Sequence, residues 1–517
     1  MNAPTAAPAT QSTLGRRNTL VVFAGLLLAM FIAALDQTIT ATALPTIAGD
    51  LGGLSQLTWV VTVYVLAAAA TTPVWGKLSD QFGRRGLLRV AIATFLVGSA
   101  LCGVAGNIGE LIACRAVQGI GAGGIMTLAM AAVGDLVSAR ERGRYQGYIQ
   151  SVFVLASVAG PLLGGVLVDH VSWRWVFYIN LPIGAAALML LSRQPEASAG
   201  RGARVDYRGS ALLAAAVSAV LLVTVWGGDR YAWDSVEILG LAAAALALLA
   251  GFVWQERRAA EPVLPLRLFR DRVFVVVSVG AFLATLSLFA VIVFMPLFFQ
   301  LVTHATATTS GLLLIPMLLA STASTIMSGR TMSRTGRYKI FPVIGFAIMC
   351  LGLGLLSTVD SGRGPAVAYL VIFGLGFGLT TQVLVVAIQN AVDRREIGTA
   401  TASVNLFRAL GGSLGVAIYG AVFASGLRRG LPRHVPGGAA GVDTHGIQAS
   451  PERIRALPVA VQHGISLSVA DALHAVFLTA APAAALGFLV VLFLREYPLG
   501  GATGRVPERR PAEQVTK

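Results

Sequence analysis

The stretch Gly76-Lys77-Leu78-Ser79-Asp80-Gln81-Phe82-Gly83-Arg84-Arg85-Gly86 decides the fold, because it sets three basic residues and one acid between two long apolar runs. Those runs span residues 59–76 and 87–106. Each is long enough to cross a bilayer, whereas the charged stretch cannot lie in hydrocarbon. We therefore predict a tight turn at one membrane face. Its glycines permit close approach or positive φ, and its basic residues indicate the cytoplasmic side.

The composition is that of a polytopic membrane protein. Of the 517 residues, 56% are hydrophobic and only 12% are charged, which is about half the charged fraction of a typical soluble protein. The net charge of +15 could indicate nucleic-acid binding, but the charges lie in the gaps between apolar runs, which favours membrane orientation instead. The three cysteines lie inside apolar runs, with neither a disulfide framework nor metal-ligand spacing, so we predict no metal and no cofactor.

Fourteen apolar runs approach the length of about 20 residues that a membrane-spanning helix needs. They span residues 19–47, 57–76, 87–106, 110–133, 146–168, 175–193, 209–226, 236–255, 273–301, 310–328, 340–358, 365–389, 397–424 and 470–494. Most of the 39 Lys and Arg then fall on one side, together with the tails 1–18 and 495–517, and the positive-inside rule makes that side cytoplasmic. The external segment 425–469, with a predicted short helix at 450–457, is either a flexible cap or a partner-binding segment.

Three short patterns recur in the same order along the chain at a near-constant spacing. They pair Gly76 and Gly83 with Gly329 and Gly336; Gly119, Gly121 and Gly123 with Gly374, Gly376 and Gly378; and Arg140-Glu141 with Arg395-Glu396. A parallel repeat of six helices is a known way to build alternating access around a site at the membrane midplane. We therefore predict an all-α protein with two six-helix bundles, 19–193 and 273–494, and two helices inserted in the linker 194–272.

Asp36 is the acid that lies deep in an apolar run. It is either a residue near the external helix end or a carboxylate that carries protons, since a carboxylate in low-dielectric surroundings can exchange protons near neutral pH. With a rise of 1.5 Å per residue, Asp36 on one helix and Arg115 on another reach about the same depth. We predict that they face the same cavity, either paired directly or bridged by water and by Gln118, which shares a helix face with Arg115.

Further polar residues within the spans are assigned to the substrate cavity. Arg408 lies near mid-membrane, where it meets backbone carbonyls, Asn405 or a substrate, and a structural role is equally open. Gln37, beside Asp36, and Gln118 complete the predicted cavity residues.

Two patterns indicate conformational gating. Gly160-Pro161-Leu162-Leu163-Gly164-Gly165 interrupts a span, so it either kinks the helix and tightens the external side or is ordinary small-residue packing. Asp80 has Ser333 in its place in the second half of the chain. The acid can pair with Arg84 or Arg144, or with a helix N-terminus, and such contacts would latch the inner face on one side only.

These strings together resemble the fourteen-helix drug:proton antiporters of the major facilitator superfamily. The opening stretch is similar to the superfamily's loop between its second and third helices. The segment from Leu35-Asp36 to Ala43-Leu44-Pro45, the pattern Leu111 to Gly119, Gly160 to Gly165, and Ser172 to Gly184 each resemble a motif of this branch. The resemblance covers nearly the whole chain.

The resemblance implies a proton-driven exporter of small amphipathic drugs or antibiotic-like metabolites, and we expect a monomer. Asp36 and Arg115 would couple protons, and gating would fall to Gly76, Asp80, Gly83, Arg84 and Arg85 and to Gly160, Pro161, Gly164 and Gly165. Two departures stand out. Thr40-Ala41-Thr42 replaces the family's Val-Asn-Val, and the span at 310–328 carries no acid. Because relatives that handle doubly charged cations often have that acid, we expect neutral or singly charged substrates.

Other functions are less well supported by the sequence. Export of a lipid or envelope component would use the same fold, and a sensor would lack a signalling domain. An enzyme lacks support, because no nucleophile–base pair stands out and Gly119-Ile120-Gly121-Ala122-Gly123-Gly124, which superficially matches a dinucleotide loop, lies inside an apolar span. The preference for Arg over Lys and the Ala- and Gly-rich composition indicate a GC-rich bacterium, hence a bacterial cytoplasmic membrane.

Overall fold

The computed structural model describes residues 16–51, 56–138, 141–192, 206–228, 230–359, 362–435, 458–497 and 499. Sixteen α-helices run through these residues. They are α1 Arg16–Leu51, α2 Leu57–Phe82, α3 Arg84–Val104, α4 Ile108–Leu136, α5 Arg142–His170, α6 Trp175–Tyr178, α7 Asn180–Ser192, α8 Tyr207–Trp226, α9 Val236–Glu256, α10 Arg272–Leu301, α11 Ala307–Leu312, α12 Ile315–Thr335, α13 Ile340–Leu356, α14 Arg363–Ala391, α15 Ile397–His434 and α16 Val459–Leu492. Short 3₁₀ turns at Leu266–Arg270 and Arg394–Glu396 precede α10 and α15.

Each of the fourteen predicted spans coincides with helix. Within the described residues, thirteen helical segments are long and apolar enough to cross a membrane, and α13 is a shorter apolar helix of 17 residues. The span predicted at 175–193 is α6 followed directly by α7, and the span at 310–328 is the end of α11 followed by α12. The fourteen-helix architecture predicted from hydropathy is therefore present.

The external segment predicted at 425–469 is shorter than expected. Helix α15 continues to His434 and α16 begins at Val459, because small and polar residues at the helix ends pack against each other: Ser468 and Ala472 of α16 lie directly beside Gly430 and Gly426 of α15. The short helix predicted at 450–457 lies outside the described residues.

The stretch from Gly76 to Gly86 is mostly helical rather than a loop. Helix α2 runs to Phe82 and α3 starts at Arg84, so Gly83 alone makes the turn, with φ of 90°. Its repeat partner Gly336 ends α12 with φ of 71°. Both conformations lie in the left-handed region that glycine tolerates best. The charged residues of the stretch therefore lie on the ends of two helices, Lys77 and Asp80 on α2 and Arg84 and Arg85 on α3.

Glycine-mediated packing builds each bundle in the same way. In α4, added Cβ atoms on Gly119 and Gly123 would lie 2.4 Å from the backbone oxygens of Tyr64 and Ala68 in α2. In α14, the repeat-related Gly374 and Gly378 approach backbone oxygens of α12 equally closely, at 2.3 and 2.0 Å. Such close backbone approach is the usual packing device between membrane helices. The glycine run of α4 is therefore a packing surface, as its position in an apolar span predicts.

The inserted hairpin α8–α9 packs outside the two bundles and touches one helix of each. The Trp226 ring of α8 meets Trp59 of α2 edge-on, with centroids 5.5 Å apart, and Thr224 hydrogen-bonds Ser413 of α15. After α9, Glu261 binds Lys77 of α2 at 2.9 Å. That ammonium holds the pKa of the Glu261 carboxyl below its usual value.

The two bundles meet at one end of the molecule, here called the basic face, which carries Asp80, Arg84 and Arg142. An added Cβ on Gly76 of α2 would lie 2.8 Å from the Gly398 oxygen of α15. The repeat-related contact joins α12 to α5, where a Cβ on Gly329 would lie 2.1 Å from the Gly143 oxygen. Two pseudo-symmetric glycine contacts therefore close the molecule at the basic face.

Candidate functional site

A closed polar network surrounds Asp36 within the N-terminal bundle. Arg115 Nη1 of α4 donates to Asp36 Oδ2 at 2.5 Å. The amides of Gln118 and Asn180 donate to Asp36 Oδ1 at 2.8 and 3.0 Å. Asp36 is 0% exposed and Arg115 1%. The two charges are therefore paired and hydrogen-bonded out of contact with solvent, which is what a buried ion pair requires.

A second set of contacts holds Arg115 in position. Its Nε donates to the Val60 oxygen of α2 at 3.2 Å, and Nη1 also donates to Gln118 Oε1 at 2.9 Å. The guanidinium stacks 4.1 Å from the centroid of the Tyr64 ring. Ser99 of α3 accepts hydrogen bonds from both amides, Gln118 and Asn180. The network thus ties α1, α2, α3, α4 and α7 to one carboxylate.

Asp80 forms a second polar centre at the basic face, and this one joins the two bundles. Its carboxylate accepts the backbone N–H groups of Gly398 and Thr399 at 2.9 and 2.7 Å, and the Thr399 hydroxyl at 2.9 Å. Arg84 also donates to it at 3.0 Å. The first N–H groups of a helix have no partner within the helix and carry its positive dipole end. The acid of one bundle therefore caps helix α15 of the other.

Gly160 and Gly164 of α5 lie directly against α1 beside Asp36. A Cβ on Gly160 would lie 2.0 Å from Thr38 Oγ1, and a Cβ on Gly164 would lie 3.1 Å from the Thr42 Cβ. Thr38 Oγ1 also donates to the Ala156 oxygen at 3.0 Å. Movement of α5 would therefore move the part of α1 that carries Asp36.

Three other predicted residues are not fully enclosed by protein. Gln37 is exposed and lies beside the Tyr64 hydroxyl. Asn405 is half-buried, and its amide contacts Met130 Sδ of α4 at 3.7 Å, across the boundary between the bundles. Arg408, one turn further along α15, is also half-buried. Asn405 and Arg408 thus follow the bundle boundary away from the basic face.

Comparison with known proteins identifies the family to which this architecture belongs. The family model described as Major Facilitator Superfamily matches residues 26–416. The chain belongs to the Major Facilitator Superfamily. An uncharacterized MFS-type transporter of Mycobacterium tuberculosis is 40% identical over 96% of this chain and 73% of its own length. The multidrug transporter protein MdtP of Bacillus subtilis is 36% identical over 97% of each chain, and multidrug resistance protein 3 of the same organism is 36% identical over 80% of this chain and 81% of its own.

Solved structures of the superfamily show the same fold. The human organic anion transporter MFSD10 superposes with a TM-score of 0.60 over 92% of this chain and 99% of its own, at 15% identity. The proton:xylose symporter XylE superposes with a TM-score of 0.59 over 93% and 97%, also at 15% identity. The relatives and the fold are those of membrane transporters rather than enzymes. No group of three or more His, Cys, Asp and Glu side chains in the described part of the chain is placed to hold a metal ion.

The structure places several predicted residues differently from the expectation for such a transporter. Asp36 and Arg115 are in direct contact, as their depth indicated, but they do not line an open cavity, and the same holds for Gln118, which is 0% exposed. The reason is close packing: a Cβ on Gly98 would lie 2.5 Å from the Gln118 backbone nitrogen, so α3 and α4 leave no space for water. Asn180 was not among the predicted site residues, although an amide in the apolar run 175–193 is a usable signal.

The residues predicted to gate the transporter also differ from one another in the contacts that they make. Of the partners considered for Asp80, Arg84 and a helix N-terminus are used, whereas Arg144 hydrogen-bonds Tyr148 instead. Arg84 also bonds Asp135. Ser333, the counterpart of Asp80, donates to Gly329 within its own helix. A carboxylate contact between the bundles is therefore present at Asp80, whereas the Ser333 hydroxyl is bonded within its own helix.

The residues of the segment from Gly160 to Gly165 differ in how closely they pack. Helix α5 is a single helix through Pro161, which is exposed, and an added Cβ on Gly165 would meet nothing within 4 Å. Tight packing is therefore a property of Gly160 and Gly164 and not of the whole segment from Gly160 to Gly165. Pro161, which lacks a backbone N–H donor, lies on the exposed side of α5.

We expect Gly160→Ala to lower transport by about tenfold, because the added methyl group must displace Thr38 and the adjacent turn of α1, at a cost of about 1–3 kcal/mol for overpacking. Gly165→Ala, five residues further along the same helix, should leave transport within about twofold of the wild type, since its methyl group enters open space. Initial transport rates in everted vesicles, normalised to the amount of protein, check the pair. Equal rates for the two variants would contradict the packing argument.

Proposed function

We propose that this transporter is a proton-coupled antiporter that exports small amphipathic compounds, such as drugs or antibiotic-like metabolites, across a bacterial cytoplasmic membrane. The names of its relatives in Bacillus subtilis, a multidrug transporter and a multidrug resistance protein, support export of such compounds. The high coverage of both chains by the alignment with MdtP supports carrying the function over the whole length.

The proposal of proton coupling rests on the ion pair of Asp36 and Arg115, which is buried out of contact with solvent. Protonation of Asp36 removes the negative charge that faces Arg115 and leaves a buried guanidinium without its counter-charge. Breaking a buried pair in this way costs about 3–5 kcal/mol. The protein relieves that cost by changing conformation, so the network converts the binding of one proton into a shift between two states.

The network is mechanically connected to the rest of the transporter. Thr38, half a turn from Asp36, bonds the Ala156 oxygen of α5 and contacts Gly160. At the basic face, α5 carries Gly143, which packs on Gly329 of the other bundle. Helix α5 therefore links the proton site to the contact between bundles. Rocking of the bundles about a central site is the general way in which transporters with such repeats alternate access.

The distribution of Lys and Arg residues indicates how the transporter is oriented in the membrane. We assign the basic face to the cytoplasmic side, because the Lys and Arg residues between the predicted spans concentrate on one side of the membrane. Since the bundles meet at that face, we assign the structure to a state closed towards the cytoplasm, in which Asp36 is sealed from solvent. A single chain contains both bundles and the proton site, so we propose a monomeric functional unit.

Proton release driven by substrate in proteoliposomes tests the proposal. The purified chain is reconstituted with an imposed pH gradient, and a panel of amphipathic compounds that bear no, one or two charges is added while the internal pH is followed with a trapped dye. Compound-dependent proton movement that is absent from protein-free liposomes supports an antiporter. Export of compounds without any proton movement contradicts proton coupling.

The same experiment separates the alternative function, export of a lipid or cell-envelope component. A lipid exporter would move a labelled lipid between leaflets and give no proton signal with any soluble compound. Lipid movement without a proton signal would favour the lipid exporter over the antiporter. The experiment is needed because both functions use the same fold.

A further inference from the structure

Arg408 is a cation in an unusual place. It lies eleven residues after Ile397, the first residue of α15, which puts it about 17 Å along the helix at 1.5 Å per residue and so near the middle of the membrane. A guanidinium at this depth is costly, and membrane proteins keep such residues where they face a polar cavity or have a partner.

No protein group of the described residues neutralises Arg408. It has no hydrogen bond, ion pair or ring contact there, and no acidic side chain lies near enough to act on its charge. Arg115 is the contrast, because it binds a carboxylate, a backbone oxygen, an amide oxygen and a tyrosine ring. Both arginines lie deep in the membrane, yet only Arg115 is satisfied by the protein.

Arg408 is also less enclosed by protein than the other two charges. It is half-buried, whereas Arg115 is 1% exposed and Asp36 0%. These three are the ionic side chains that the described helices place deep in the membrane. Because Asp36 and Arg115 neutralise each other inside a sealed network, the charge that a solute meets at this depth is positive.

The surroundings of Arg408 are suited to an amphipathic solute. Asn405, one turn earlier on the same helix face, offers an amide, and Met130 beside it offers an apolar thioether. On the following turn, Gly412 lies close to the Phe289 ring of α10, since an added Cβ would be 2.7 Å from it. An amide with a thioether beside it therefore lies one turn before Arg408, and an aromatic ring lies beside the turn that follows it.

We infer that Arg408 recognises an anionic group of the exported compound, and that the substrates include amphipathic organic acids with a single carboxylate or sulfonate on an apolar body. The planar fork of Arg408 can donate two parallel hydrogen bonds to either group. A single negative charge leaves the pair neutral, whereas a second would remain uncompensated in the low dielectric near the middle of the membrane. This inference rests on the proposed export function and names its substrate class.

Binding to three matched probes tests the inference. The full chain in lipid nanodiscs is titrated with 1-pyrenebutyrate, with its methyl ester and with 1-pyrenemethylamine, which share one ring system and carry negative, zero and positive charge. Energy transfer from tryptophan to pyrene reports binding, and empty nanodiscs correct for partitioning into lipid. We expect the wild type to bind the carboxylate at least about tenfold more tightly than the ester or the amine, as a charge-assisted hydrogen bond requires.

Substitutions at Arg408 then assign the preference. Arg408→Gln should weaken carboxylate binding by about tenfold or more and leave ester binding within about twofold. Arg408→Lys, which keeps the charge but not the fork, should retain part of the preference. Arg429→Gln removes an exposed arginine near the outer end of the same helix, and it should bind all three probes as the wild type does.

Several results would overturn the inference. The first is that the wild type binds the amine as tightly as the carboxylate or more tightly. The second is that Arg408→Gln binds the carboxylate as the wild type does. The third is that both Arg408 variants lose binding of all three probes, which would mean that Arg408 only supports the fold. Because the titration measures binding without a pH gradient, charge selectivity can hold while proton coupling fails, and the reverse. The two proposals are therefore tested separately.

Discussion

Asp36→Asn is expected to abolish proton-driven export, with the rate falling to about 1% of the wild type or less. Asparagine keeps the size of the side chain but carries no charge, so Arg115 loses the partner that it contacts at 2.5 Å. The loss of a buried counter-charge is worth about 3–5 kcal/mol, which corresponds to a factor of more than one hundred in an equilibrium constant. The variant cannot alternate between an ionised and a protonated state, so its two conformations no longer respond to the proton gradient.

The measurement is compound-driven proton movement in proteoliposomes, together with downhill exchange of the same compound without a gradient. Downhill exchange should survive in Asp36→Asn, since the substitution removes the proposed proton-carrying carboxylate and keeps the size of the side chain. Asp50→Asn is the matched control, because Asp50 lies on the same helix near its exposed end and bonds Trp173 outside the network. Full proton coupling in Asp36→Asn would place the proton site elsewhere.

Asp80→Asn is expected to shift the transporter away from the state closed at the basic face and to slow export by about tenfold. The carboxylate accepts three hydrogen bonds from Gly398 and Thr399 of the other bundle and one from Arg84. Hydrogen bonds to a charged group contribute about 1.5–3 kcal/mol each. The asparagine amide can replace some of them but carries no charge for the positive end of α15, so a net loss of about 1.5–3 kcal/mol should reduce the closed population by roughly 10- to 100-fold.

Spin labels on both sides of the latch can report this population. Phe82 and Arg395 are exposed at the basic face on either side of the bundle boundary, and cysteines there, with the native Cys102, Cys114 and Cys350 replaced by alanine, carry the labels. Pulsed dipolar spectroscopy should show a longer-distance population in Asp80→Asn. Ser333→Ala is the control at the repeat-related position, since its hydroxyl bonds only Gly329 of its own helix among the described contacts. An unchanged distance distribution in Asp80→Asn would remove the latch from the mechanism.

The two predictions rest on different amounts of sequence information. For Asp36 and Arg115, the helix rise and the direction of each span were enough to place both at one depth, because a membrane allows helices only two directions and a fixed length. For Asp80, the sequence offered three partners without a means to choose among them. The choice depends on which helix of the second bundle begins beside α2, and that is a tertiary relation between residues 80 and 399.

By itself, the sequence determined the number of spans, the repeat and the candidate ionic residues of this transporter, because hydrocarbon excludes unsatisfied backbone and unpaired charge whatever the neighbours are. The tertiary structure decided which polar groups are sealed and which remain open. Gln118 and Arg408 look alike in sequence, as polar residues within apolar spans, but one is enclosed between α3 and α4 and the other is half-buried, with no partner among the described residues. Enclosure depends on how closely helices approach, and that distance is set by glycine contacts such as the one from Gly98 to Gln118, which join helices across the bundle.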